Sequence, residues 1–353
     1  MVGGFALSAL SSDAAGATGA TPGAPLPLPS SDASAAVAGA KLGPISADPT
    51  AIPGPIRRSS PAEVEVALET RLVHAEIEPG VGYMYMTFGG QVPGPMIRVR
   101  QGDRVRLSLT NPPDGGGVIH NIDLHAVYGT GGGAEATTVA PGETKELLFQ
   151  ARYPGAFIYH CAMPNVDLHI SSGMFGMIVV EPPEGLPEVA REFYVGQHEV
   201  YTDKATGEAG EHHVDFDRMA AEQPTYVLLQ GEKYALTPQV RGAMQANVGE
   251  TVRVFMVNGG PNLTSSFHPI GNIWSRAWRD GALATPPDHY VQTALVPPGS
   301  CGVFDLELPV PQTIKLVDHA LSRVVRKGLL GMIEVHGDPV PGIFEPHPSS
   351  LSH

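Results

Sequence analysis

The chain has 353 residues, enough for two domains, and no apolar run of about 18 residues, which excludes a membrane-spanning helix. A net charge of −14 and a pI near 5.4 argue against a phosphate-binding surface and a nucleic-acid partner, and two cysteines exclude a disulfide scaffold or a Cys-rich zinc site. Charged residues make up only 16% beside 42 Gly and 34 Pro, so an all-β fold is expected.

Residues 1–61 read as a low-complexity Ala/Pro/Ser/Gly tether, with no Lys or Arg before Lys41. The apolar stretch Phe5–Leu10 has neither the basic flank nor the length of a secretory signal. Such tethers are common on exported proteins, so a periplasmic or otherwise exported location is the expectation. From about Ala62 the pattern changes to short alternating strands, such as Val64-Glu65-Val66-Ala67-Leu68 and Val105-Arg106-Leu107-Ser108-Leu109. Pro93-Gly94-Pro95 and Pro141-Gly142 are turn signals between them.

The two halves echo each other. Gly102-Asp103-Arg104-Val105-Arg106-Leu107 leads to Asn111, and Gly249-Glu250-Thr251-Val252-Arg253-Val254 leads to Asn258. His120 follows the first and His268 the second. Later, His160 precedes Gly173-Met174-Phe175-Gly176-Met177-Ile178, and His319 precedes Gly328-Leu329-Leu330-Gly331-Met332-Ile333. A repeat of roughly 150 residues implies two tandem Greek-key β-sandwiches, over 62–184 and 185–338, with a tail at 339–353.

The first half carries a copper pattern. A blue-copper site takes two imidazoles and a thiolate in a plane, with a long axial thioether. Cys161, His169 and Met174 lie on one loop and His120 on a distant strand. Soft sulfur donors favour copper over magnesium or calcium, and zinc has no use for the Met. Cys161 could instead be a structural thiol, or pair with Cys301 if the protein is exported. Cys301 has no ligand pattern around it and reads as a core thiol.

A second group should face the other way. Neighbours on a strand point to opposite faces, so an inward Cys161 turns His160 outward. Asp123 and His125 share a parity opposite to that of His120, which brings them to the same outer surface. A catalytic metal site typically has three protein ligands, and His319 is the candidate third. Ala320 stands where the first half has Cys161, so a second blue site is not expected. His268 could act there as an acid/base, or be a hydrogen-bonded core residue.

These residues resemble the two-domain copper nitrite reductases. The resemblance covers about residues 62–338 and rests on His120-Asn121-Ile122-Asp123-Leu124-His125, Tyr159-His160-Cys161-Ala162, His169 with Met174, Ser265-Ser266-Phe267-His268 with Ile270, and Leu316-Val317-Asp318-His319. It implies cupredoxin-like domains with one type 1 copper on His120, Cys161, His169 and Met174, and one type 2 copper on His125, His160 and His319. It also implies Asp123 and His268 as the proton donors, Ile270 as the apolar wall over the substrate, and Thr293 as a hydroxyl supporting His268. The reaction implied is one-electron reduction of nitrite to nitric oxide, fed by a soluble cupredoxin or c-type cytochrome. The family assembles as homotrimers, so His319 and His268 would serve a neighbour's site. The Cys161–His169 loop matches a shorter-loop branch.

Two rivals are weaker. A laccase-like multicopper oxidase needs paired His-X-His motifs and a His-Cys-His run, yet residue 123 is Asp and residue 162 is Ala. A plain type 1 electron carrier would leave Asp123, His125, His160, His268 and His319 without a role.

Overall fold

The segment Glu63–Glu78 shows how this sequence becomes sheet. Val64, Val66 and Leu68 turn inward while Glu63, Glu65 and Ala67 face water. The computed structural model describes residues 44–114 and 116–346. The first half contains β1 (Glu63–Glu78), β2 (Val81–Phe88), β3 (Ile97–Arg100), β4 (Arg104–Thr110), β5 (Asp123–Leu124), β6 (Thr144–Gln150), β7 (Gly155–His160) and β8 (Phe175–Glu181). A short helix, α1 (Val166–Ser171), joins β7 to β8. The second half contains β9 (Arg191–Val200), β10 (Gly210–His212), β11 (Tyr226–Leu229), β12 (Met244–Asn247), β13 (Thr251–Gly260), β14 (Ser265–Ile270), β15 (Trp274–Trp278), β16 (Asp288–Val291), β17 (Ala294–Val296), β18 (Ser300–Glu307), β19 (Gln312–Asp318) and β20 (Gly331–His336). Its helices are α2 (Phe216–Ala220) and α3 (Ser322–Lys327).

Each half is two sheets. They run β2-β1-β4-β6, with β10 of the second half added at the β2 edge, and β3-β8-β7-β5 in the first, β11-β9-β13-β18-β15-β16 and β12-β20-β19-β14-β17 in the second. The parallel pairs β1/β4 and β3/β8 recur as β9/β13 and β12/β20, so the wiring is duplicated. Leu107, Ile122, Tyr159 and Ile178 fill the first sandwich; Val254, Phe267, Trp274 and Leu316 fill the second. A third apolar cluster joins them, with Tyr83, Phe175 and Met177 packed among Tyr194, Tyr226 and Phe255. Burial on this scale is the main stabilising term.

Two features differ from the sequence reading. Residues 1–43 of the expected tether, with Phe5–Leu10 and Lys41, lie outside the described residues, as do 347–353 of the tail. The tether's last stretch is docked: Ile45 is buried in the joining cluster, the Ala47 amide donates to Val92 O at 3.0 Å, and Gln230 donates to Ala47 O. The repeat register also shifts. In the first half Asp123 sits opposite His160 and the His125 amide donates to Ile158 O. In the second, the His319 amide donates to Ser266 O and His268 sits opposite Val317. With His319 equivalent to His160, His268 is therefore the counterpart of His125 and not of His120. Loops of unequal length before these strands hid this from a count along the chain.

Candidate metal centres

His160 ends β7 and Cys161 follows it, the two side chains pointing to opposite faces. Cys161 is wholly buried in the first core, and its thiol lies 3.8 Å from His120 Nδ1. The metal-binding atoms of His120, Cys161 and His169 all lie within 4.8 Å of one another. His169 arrives on α1, whose first turn is entered through Asn165 in the left-handed region, φ 65°. Met174 is tied into the same group through its backbone: its amide donates to His169 O, and its carbonyl accepts from the Cys161 amide at 3.1 Å.

These donors fit a soft metal ion. The buried His169 Nδ1 has no hydrogen-bond partner, a costly state that a metal bond would relieve. Burial, and then the His169 ring, hold the His120 imidazole down to about 3. Burial holds His169 at about 4, with Asp167 working against it. Both rings are thus neutral at physiological pH, with lone pairs ready. Burial pushes the Cys161 thiol up to about 11, with the Asn121 and Met163 backbones opposing, so metal uptake must release its proton. Sequence reasoning missed Asn121, whose Oδ1 accepts from the Ala162 amide at 2.7 Å and lies 3.7 Å from Cys161 Sγ. Its place directly after His120 in the chain was the available signal. Neither cysteine forms a disulfide; Cys301 is a buried core thiol.

The second group lies on the outer face. The ligand atoms of Asp123, His125 and His160 converge within 4.8 Å, and the two Nε2 atoms are 3.1 Å apart. Such close imidazole nitrogens suit two ligands of one ion. His160 Nδ1 is oriented by Cys161 O at 3.0 Å, so its other nitrogen faces His125. Desolvation, then the His160 ring, hold His125 below the usual imidazole range, while Asp123 works the other way.

Asp123 is confined by a glycine turn. A Cβ on Gly132, at φ +56°, would fall 1.9 Å from Asp123 Oδ1 and 2.8 Å from Leu124 O. Gly117 has φ +76° and open space around it. Gly117→Ala should therefore cost only the left-handed strain, about 1–2 kcal/mol, and Gly132→Ala clearly more. Equilibrium urea unfolding of the two variants compares them; equal losses would show that the turn does not press on Asp123.

His268 and His319 form a third arrangement, apart from that group. Their rings meet edge to face at 5.3 Å, almost reproducing the His125–His160 pair at 5.2 Å. On β14, Ser266, His268 and Ile270 face outward while Ser265, Phe267 and Pro269 enter the core. His268 Nδ1 donates to Gln292 O at 2.6 Å, leaving Nε2 toward the surface. The Thr293 hydroxyl is the more distant neighbour at 3.4 Å, so the Gln292 carbonyl, which sequence reasoning missed, is the firmer support. A backbone acceptor leaves no signature in side-chain identity.

Residues 70–185 match the multicopper oxidase family. The copper-containing nitrite reductase of Neisseria meningitidis serogroup B is 44% identical over 293 residues, 83% of this chain and 74% of its own length. That of Alcaligenes faecalis is 35% identical, over 72% of this chain and 70% of its own. The solved copper nitrite reductase of Nitrosomonas europaea superposes with a TM-score of 0.70 at 32% identity, over 79% of this chain and 96% of its own.

Proposed function

Since the chain belongs to the copper-containing nitrite reductases, a family of copper enzymes that reduce nitrite, we propose how its residues divide that work. His120, Cys161, His169 and Met174 hold a type 1 copper. His125 and His160, joined by His319 of a neighbouring subunit, hold a type 2 copper, giving one of each per subunit. Copper supplies electron storage at the first site, and electron delivery with Lewis acidity at the second.

The observation that carries this reading is the single peptide bond between His160 and Cys161, which links the two ligand sets covalently. Asp123 and His268 hold the two protons. The balance is NO₂⁻ + e⁻ + 2H⁺ → NO + H₂O, one N–O bond breaking and the departing oxygen leaving as water. His268 Nδ1 keeps its hydrogen on Gln292 O, so Nε2 is the atom that takes up and gives up the catalytic proton. Ile270, exposed beside His268, forms an apolar wall against which nitrite is oriented.

A homotrimer completes the catalytic site. Within one chain, His319 and His268 lie outside the Asp123–His125–His160 cluster. Exposed Leu321 and Val325 beside His319 offer the apolar surface that a subunit contact would cover. The two sandwiches are assigned to 62–184 and 185–338, the first bearing the type 1 site and the second lending His268 and His319. The electron comes from a soluble cupredoxin or c-type cytochrome in the periplasm or another exported location. Among the described residues no helix is long and apolar enough to cross a membrane.

Mixed assembly tests the shared site. Asp123→Asn chains and His268→Ala chains should each be nearly inactive alone. Co-refolded, they form some sites from two intact halves and should regain a clear fraction of wild-type turnover. Copper analysis with a paramagnetic resonance spectrum should give two ions per subunit, of two classes. Failure of the mixture to regain activity, with mixed trimers verified by mass, removes sharing between subunits; one copper per subunit removes the reductase assignment of the ligands.

A further inference from the structure

One buried carboxylate ties together the segments that carry His268 and His319. Asp318 ends β19 with its side chain fully buried. Its Oδ1 accepts from the Ser266 amide at 3.1 Å and the Ala320 amide at 3.0 Å. Its Oδ2 pairs with the Arg323 guanidinium on α3, which also donates to Thr264 O at 2.8 Å. Ser266 lies two residues before His268 on the same outward face, and Ala320 directly follows His319. The carboxylate thus grips one strand, the turn after its neighbour and the helix beyond.

The first half does without this device. In the corrected register Asp318 takes the place of Tyr159, a buried phenol that donates to Pro95 O at 2.6 Å. Sheet closure at this position therefore does not need an acid. His160, the counterpart of His319, ends β7 opposite Asp123, and its ring Nδ1 is oriented by Cys161 O. His319 lies just past the end of β19, exposed, where one backbone bond to Ser266 O holds it. An orienting group is needed there.

We propose that Asp318 is a positioning residue that holds His268 and His319 at the spacing in which they are presented to the neighbouring subunit. This rests on the reading of His319 as a type 2 copper ligand. Charge-assisted bonds from a buried carboxylate to two amides and a guanidinium resist rotation of the turn. Losing a group that orients metal ligands typically costs about 10–100-fold in metal affinity.

The test uses the full chain, loaded with copper and titrated against a competing chelator. In Asp318→Asn, type 2 copper affinity should fall about 10–100-fold, and the type 2 resonance should shift, while the type 1 visible band is unchanged. Arg323→Met, which leaves both amide bonds in place, should weaken the same affinity by a smaller factor. A folded Asp318→Asn protein with wild-type type 2 affinity and resonance overturns the proposal. If Asp318→Asn shows no type 1 band and so has not folded, Arg323→Met decides, and unchanged type 2 affinity there overturns it. His319→Ala runs in parallel. Retention of type 2 copper in that variant defeats the ligand reading itself, whereas its loss beside an unaffected Asp318→Asn defeats only the role of Asp318.

Discussion

Asp123→Asn should lower nitrite turnover by about 10²–10⁴-fold, the range that a positioned general acid contributes. The substitution preserves shape, so the glycine turn at Gly132 still fits. It removes the one thing the amide cannot supply, a proton that can be given up and regained. Copper content should not change, because Asp123 is outside the three-imidazole set proposed for the type 2 ion, and the residues proposed for the type 1 ion form a separate group. Turnover with a chemical reductant, measured beside copper analysis, separates this outcome from metal loss. Turnover at the wild-type level with both coppers retained would remove Asp123 from the proton path. In that case His268, anchored by Gln292 O, would stand as the remaining acid at the site.

Strand alternation made much of this site legible. Once Cys161 is placed inward, His160 must face outward, and the parity of residues 120, 123 and 125 sorts the first half's histidines between two faces; the structure groups them accordingly. The β texture and the duplication were equally plain, because both depend on local alternation and turn residues. Three kinds of information were not local. Counting residues could not fix the register of the repeat, and only the pairing of β14 with β19 aligned His268 with His125. Backbone acceptors such as Gln292 O are invisible in composition. The docking of Ile45 depends on a cleft made by both halves, which no window of sequence contains.

The join between the halves also holds a buried charge network that a single change would break. Arg98, on β3, donates through Nε to Glu181 at 2.5 Å and through its other nitrogens to Glu192 at 2.6 and 3.1 Å. Glu181 ends β8 of the first half and Glu192 begins β9 of the second, so one guanidinium clamps the join. Its side chain is 1% exposed and that of Glu181 2%. Arg253 lies alongside, paired to the fully buried Asp305 and 3.5 Å from Glu192. Replacing Arg98 by Met keeps most of the bulk over Phe255 but leaves two carboxylates without their shared cation. Breaking a buried pair in this way costs about 3–5 kcal/mol, most of it the price of an uncompensated charge. Urea unfolding of Arg98→Met should show that loss, and adding Glu181→Gln with Glu192→Gln should recover part of it, since the stranded charges are then gone. The type 1 visible band should be unchanged in native buffer, because none of the ligands proposed for that ion touches the network. A loss below about 1 kcal/mol, the scale of a solvated surface pair, would mean that water reaches the join and that the apolar cluster alone holds the halves together.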